Sequence, residues 1–251
     1  MLVHWELLAG ILVLTLEGRA HAAGIVGGRE AAPHSRPYMV LLNRHLADGK
    51  TQYCGGFLLN ADFVMTAAHC HARSFTVYLG LHNIKDGDGV TRRTVTQAFP
   101  HKDYNATDFS NDIMLLKLSS KAHFTTNVSP VALGDQSDIS LPKSCLVSGW
   151  GAGTKQNPYL SEVLMDVNVT LVDLKQCAKR NLYCSQEEAG QSKGDSGGPL
   201  VCDGKAYGVV SNTFTPKSGA PKLHCFAKIP DVRRWIRATM TSALKRPVKR
   251  D

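Results

Sequence analysis

From residue 38 onward the chain is cut into short apolar runs. Tyr38-Met-Val-Leu-Leu42, Phe57-Leu-Leu59, Phe63-Val-Met65, Phe75-Thr-Val-Tyr-Leu79, Ile113-Met-Leu-Leu-Lys-Leu118 and Ala206-Tyr-Gly-Val-Val210 are the clearest. They are rich in β-branched and aromatic residues, and Gly, Asn, Asp and Pro separate them. Many short strands with turn signals between them specify a sandwich or a barrel. Only the end departs from this pattern. Pro230 and Asp231 lead into Val-Arg-Arg-Trp-Ile-Arg, which predicts a helix capped by Asp231. Asn127–Pro130 reads as the crossover between two halves.

The first residues have another character. Leu7–Leu16 reads LLAGILVLTL, too short to span a bilayer. Ala20-His21-Ala22 follows, with small residues at the two positions a signal peptidase reads. Residues 1–22 are expected to be a cleaved secretory signal, although the first six carry Glu6 and no Lys or Arg. The other reading is a buried helix of the mature fold. No later segment reads as a membrane span.

The seven cysteines, Cys54, Cys70, Cys145, Cys177, Cys184, Cys202 and Cys225, form no CxxC pair and no zinc-like spacing. Three disulfides and one odd thiol in an oxidising compartment account for them. Sequons at Asn105, Asn127 and Asn168 agree with export and are candidate glycosylation sites. The net charge is +8, and residues 1–24 contribute Glu6, Glu17 and Arg19, so the rest is more basic still. Basic residues gather in Lys245-Arg246-Pro247-Val248-Lys249-Arg250. That is either a solvated tail or a patch for a heparin-like proteoglycan. No basic motif interleaved with aromatics points to nucleic acid.

One stretch carries chemistry. Residues 191–200 read QSKGDSGGPL, with Ser196 set among Gly194, Gly197 and Gly198. Glycine serves where backbone must turn sharply or come close to another group. A cluster around one hydroxyl therefore suggests that bare amides are needed there. A serine hydroxyl is a weak nucleophile until a base takes its proton. His69, between small residues and beside Cys70, is the candidate base. Asp112, at the mouth of a very apolar strand, is the candidate carboxylate to hold the imidazole. Taken alone, each reads first as a structural histidine and a solvated acid.

Together TAAHC, NDIMLL and GDSGGPL, in that order after IVGG at 25–28, resemble the chymotrypsin-like (trypsin-fold) serine proteases. PHSRPYM, LGLHNIK and FSNDIMLLKL resemble the granzyme and mast-cell-protease branch. The resemblance covers residues 25–251. It implies an all-β fold of two antiparallel six-stranded β-barrels with a C-terminal α-helix. The implied units are a signal over 1–22, an activation dipeptide at 23–24, one barrel over 25–129, and a second barrel with the helix over 130–251. It implies a secreted or granule-stored serine endopeptidase acting through an acyl-enzyme, with no metal or organic cofactor. Ser196 would be the nucleophile, His69 the base and acid, and Asp112 its orienting partner. The amides of Gly194 and Ser196 would form the oxyanion hole.

Asp195 matches the acid that pairs with a freed amine at Ile25. Gly24, not Arg or Lys, precedes that residue, so the match implies a dipeptidyl-peptidase activator. The implied disulfides are Cys54–Cys70, Cys145–Cys202 and Cys177–Cys184, leaving Cys225 unpaired. Implied partners are peptide or protein substrates and a serpin inhibitor.

The specificity pocket departs most from the family. Gly190 matches its floor and is not an acid, so preference for Arg or Lys is not expected. Ser211, Asn212, Thr213 and His224 match its walls, with Lys193 beside the site. Most members have an aromatic at Asn212 and glycine at Thr213, whose side chain would narrow the mouth. His224 would favour Asp or Glu before the scissile bond. A slip of one residue in the match would instead put Leu223 there and favour small aliphatic side chains. The segment between Cys177 and Cys184 is shorter than in most relatives. The rival reading is a catalytically silent cationic relative that acts by binding heparin or as an antimicrobial protein.

Overall fold

The structure is a computed structural model, and it describes residues 25–86, 89–136, 144–152, 159–215 and 221–245. The expected signal, the dipeptide at 23–24 and the tail beyond Lys245 lie outside the described residues. Fourteen strands, two α-helices and two short 3-10 turns make up the described chain.

The first barrel is closed in the order β2-β3-β4-β7-β6-β5. Its strands are β2 (Met39–His45), β3 (Thr51–Leu58), β4 (Phe63–Thr66), β5 (Ser74–Leu79), β6 (Thr91–Pro100) and β7 (Met114–Leu118). All pairings are antiparallel. The two-residue period of a strand explains how β2 serves two cores. Val40 and Leu42 face the barrel interior with Phe57, Phe63, Val77 and Leu116. Met39 and Leu41 face outward into a cluster with Ala31, Leu81, Trp150 and Leu164. The indole N–H of Trp150 donates to the His82 carbonyl at 2.9 Å, so its one polar atom is satisfied.

The second barrel uses β9 (Ser144–Gly149), β10 (Met165–Val172), β11 (Leu182–Ser185), β12 (Pro199–Cys202), β13 (Lys205–Phe214) and β14 (Leu223–Lys228). The path β10-β11-β14-β13-β12-β9 closes through the β9–β10 pairing. In β10, Met165, Val167, Val169 and Leu171 are buried while Asn168 and Thr170 are exposed, the pattern of a one-sided strand. Two-residue strands β1 (Arg29–Glu30) and β8 (Ala132–Leu133) add to the outside of β10 and β13. Thus both expected six-stranded barrels are present.

The expected helix is α2 (Arg233–Lys245), after the short α1 (Lys175–Ala178). Its start differs from the sequence expectation. A 3-10 turn over Pro230–Val232 contains Asp231, whose carboxylate accepts from the Gln136 side chain rather than serving that turn as a cap. Although α2 follows the second barrel, it packs on the first. Ile236 and Ala243 join a buried cluster that runs through both barrels, while the Lys117 ammonium donates to the Ala243 carbonyl at 2.8 Å and the Trp235 ring packs on His101 at 4.7 Å.

The disulfides are Cys54–Cys70, Cys145–Cys202 and Cys177–Cys184. Cys225 is free and buried. It lies opposite Cys184 in the β11–β14 pairing, and its sulfur is 3.5 Å from that of Cys184. Burial pushes its thiol up to about 11. Asn105 and Asn168 are exposed, and Asn127 is partly so.

Candidate active site

His69 sits in the 3-10 turn Ala68–Cys70, which a disulfide ties to β3. Asp112 is fully buried at the entrance of β7. Their contact is double. The His69 backbone N–H donates to one carboxylate oxygen at 2.8 Å, and the ring Nδ1 lies 2.7 Å from the other. The Ser211 hydroxyl donates to that second oxygen at 2.6 Å. With the His69 amide and the Ser211 hydroxyl both donating to it, the carboxylate is the acceptor in this contact, which makes Nδ1 the ring nitrogen that carries the hydrogen. The other ring nitrogen, Nε2, is left for proton transfer. Cys54, His69 and Cys70 also come within 4.8 Å of one another. Both sulfurs belong to the disulfide, so they offer no thiolate to a metal.

Ser196 lies on a loop held by its own backbone. The Asp195 amide donates to Ser192, that of Gly197 to Val210, and that of Gly198 to Asp195. The Ser196 carbonyl accepts from Gly55 of β3 at 2.7 Å, which docks the nucleophile loop on the first barrel. Among the described residues, the amides of Gly194 and Ser196 donate to no backbone carbonyl. Gly194 has φ +105°, and a Cβ there would come within 2.7 Å of the Leu160 side chain and 3.2 Å of the Gly151 Cα. A side chain is thus excluded by conformation and by space.

Asp195 is fully buried beneath this loop. Its carboxylate accepts from the amides of Gly151 at 2.7 Å and Ser192 at 2.8 Å. Burial outweighs those two bonds and pushes its carboxyl up to about 6. Ile25 is fully buried in the second-barrel cluster, and Val26 exchanges both backbone hydrogen bonds with Gly190.

The structure brings Gly190 and His224 together. A Cβ on Gly190 would lie 2.7 to 2.8 Å from three atoms of the His224 ring. His224 is 3% exposed in β14, neither ring nitrogen has a side-chain partner among the described residues, and the one backbone group there that acts on the ring is that of Glu187. Burial holds its imidazole below the usual histidine range. A hydrogen bond to the Glu187 backbone pulls against burial, Lys222 pushes with it, and the charges of Glu187 and Glu188 oppose it. Thr213 is the cross-strand neighbour of His224, and Asn212 that of Cys225. Leu223 lies elsewhere, in a small crevice with Arg180, Leu182, Phe214 and Cys225. Lys193 is exposed beside the loop.

Two neighbours were not singled out from sequence. The Gln191 side chain donates to the Asn212 carbonyl at 3.3 Å and links two walls of the pocket. Phe109, in the left-handed region at φ +61°, sets its ring edge-on to His69 at 6.0 Å between centroids. Nothing in the residue types marks Gln191. Phe109 stands in the FSNDIMLLKL stretch, three residues before Asp112, which was its one signal.

Comparison with known proteins agrees with this geometry. The family model described as Trypsin matches residues 25–236. Granzyme B(G,H) of Mus musculus is 40% identical, with 95% of this chain and all of the relative covered. Cathepsin G of Homo sapiens is 38% identical over 92% of this chain and 93% of its own length. A solved structure described as "Structure of GrC" superposes with a TM-score of 0.76 at 38% identity, covering 86% of this chain and all of that one. The chain belongs to the trypsin family of serine endopeptidases, in the branch that holds the granzymes, cathepsin G and chymase.

Proposed function

We propose that this endopeptidase cleaves peptide bonds that follow an aspartate or glutamate, using Ser196, His69 and Asp112. The observation that carries the specificity is the His224 ring, buried on Gly190 with at least one nitrogen left without a partner. A buried polar group without a partner is costly, and a substrate carboxylate reaching it regains that cost. The ring also shortens the pocket, so long or aromatic side chains fit poorly. Thr213, on the same face of the strand pair, narrows the entrance further.

In this reading the three side chains divide the chemistry as follows. His69 Nε2 accepts the Ser196 proton as the hydroxyl oxygen attacks the scissile carbonyl. Asp112 stabilises the imidazolium through the 2.7 Å contact. The developing oxyanion is received by the Gly194 and Ser196 amides, each such donor being worth about 100- to 1000-fold in rate. His69 passes the proton to the leaving amine, and water repeats the sequence to release the acid. Removal of the residues before Ile25 supplies an ammonium group to pair with Asp195 and set the loop. A dipeptidyl peptidase is the matching activator. Export to a secretory granule or the cell exterior fits the three disulfides.

The test is a peptide library incubated with protein matured to begin at Ile25, read by mass spectrometry against a Ser196→Ala control. Asp or Glu before the cuts supports the reading, and His224→Leu should shift preference to aliphatic residues. A substrate carboxylate beside His224 favours its protonated form, so the kcat/KM ratio of acidic to aliphatic substrates should rise as pH falls. Cuts after aliphatic residues in the unsubstituted protein would overturn the acidic preference. A folded, matured protein making no cuts would favour a silent cationic binding protein.

A further inference from the structure

Cys184 has two sulfurs within reach. It is bonded to Cys177, seven residues back along the chain, and it stands opposite the free Cys225 in the β11–β14 pairing. The Cys225 sulfur lies 3.5 Å from that of Cys184. A bonded sulfur carries no hydrogen, so the thiol in this contact is that of Cys225. Its hydrogen has a second acceptor in the Leu223 carbonyl at 3.8 Å, which leaves sulfur lone pairs free to face Cys184. A disulfide needs about 2.05 Å between its sulfurs, so these two have about 1.5 Å to close. Cys177 and Cys225 also line one small crevice, together with Arg180, Leu182, Phe214 and Leu223. The residue that would gain the bond and the residue that would lose it therefore share one space.

We propose that Cys184 is shared between two disulfides, and that Cys225 exchanges with Cys177 for it within one folded chain. The Cys225 thiol gives up its proton, and the thiolate sulfur attacks the Cys184 sulfur. The Cys184–Cys225 bond forms as the Cys177–Cys184 bond breaks. The electron pair leaves on the Cys177 sulfur, which takes up a proton. One thiol and one disulfide stand on each side, so no oxidant or reductant is consumed. Burial pushes the Cys225 thiol up to about 11, so thiolate is scarce at neutral pH and the exchange is slow there. The Arg180 guanidinium acts the other way, and the cross-strand neighbours Cys184 and Asn212 carry no charge. Chain entropy explains why the resting bond is to Cys177. Closing a short loop costs less than closing the loop of 41 residues between Cys184 and Cys225. The exchange moves a covalent tie. Before it, α1 is stapled to β11. After it, β11 is stapled to β14 at the residue beside His224, whose own cross-strand neighbour is Ser185.

The experiment uses matured Ser196→Ala protein, which cannot digest itself, held at pH 7, 8 and 9 without added thiol. Samples are quenched in acid, unfolded, alkylated with N-ethylmaleimide at mildly acidic pH and mapped by mass spectrometry after pepsin cleavage. At the start the label should sit on Cys225. With time it should appear on Cys177, together with a linked Cys184–Cys225 peptide, and the initial rate should rise about tenfold per pH unit. That rate should not change with protein concentration, and Cys225→Ser should lower Cys177 labelling at least tenfold. No label on Cys177 at pH 9, label that survives Cys225→Ser, or label spread equally over Cys54, Cys70, Cys145 and Cys202 overturns the proposal. A second variant, Cys177→Ser, removes the competitor and leaves Cys184 facing Cys225. Folded protein of this kind, made in an oxidising compartment, should carry the Cys184–Cys225 disulfide, and two free thiols in it would overturn the proposal. Both measurements read connectivity alone, so neither outcome depends on which residue the specificity pocket prefers.

Discussion

The fully buried Asp195 makes the energetic effect of maturation calculable. In the chain still joined to Gly24, its carboxyl is pushed up to about 6 by burial, against an ordinary 3.8. The native state therefore keeps a proton that the unfolded chain releases, and stability falls as pH rises from about 4 to about 6. Above that window the full penalty remains, and the gap corresponds to about 3 kcal/mol. An ammonium group at Ile25 reaching this carboxylate would remove the penalty and add attraction. Protein beginning at Ile25 should thus be more stable than protein beginning at Ala23 by at least about 3 kcal/mol at pH 7. The difference should shrink by about that amount as pH falls to 4. Urea unfolding of both forms between pH 4 and 7.5 measures it, in a Ser196→Ala background that prevents self-digestion. Equal stabilities at pH 7, or a difference independent of pH, would refute the reasoning.

Three further outcomes follow from the contacts. Asp112→Asn should leave the fold intact and lower kcat by about 10⁴-fold, because the amide cannot hold His69 in the required tautomer; steady-state kinetics on a chromogenic ester reads it. Trp150→Ala should cost about 3 to 5 kcal/mol in urea unfolding, since it empties the outer cluster and leaves the His82 carbonyl with the Leu164 amide as its remaining donor. His101 packs on Trp235 at 4.7 Å, and burial holds its imidazole below the usual histidine range. The unfolded chain then binds the extra proton first, so stability should rise with pH through the interval just below 6.5. His101→Phe should flatten that part of the stability profile.

The fold was legible where strands are buried on one or both faces. Five of the six apolar runs lie within or overlap strands of the first barrel, and the sixth lies in the first half of β13. Strand β6, TRRTVTQAFP, was not, because it is only half-buried along its length and its apolar residues are sparse. The three motif residues could be assembled because each chemistry needs a particular residue type in a particular local setting. Gln191 and Leu160 gave no such signal, since what they do depends on which loop or strand comes to lie beside them. Cys225 and Cys184 are far apart in sequence, and only the β11–β14 register makes their sulfurs neighbours. The choice between His224 and Leu223 was likewise a matter of one residue in register, and β14 turns the imidazole onto Gly190.

The packing of α2 on the first barrel bears on how the protein is made. His69 and Asp112 both lie in that barrel, which emerges early from the ribosome, yet Ile236, Ala243 and the carbonyl that receives Lys117 come last. At ordinary synthesis rates the barrel waits on the order of ten seconds for its final packing surface. A truncated product ending anywhere before α2 would leave an apolar patch on the first barrel open. Incomplete chains of a protease are thereby left recognisable to the machinery that disposes of unfinished proteins.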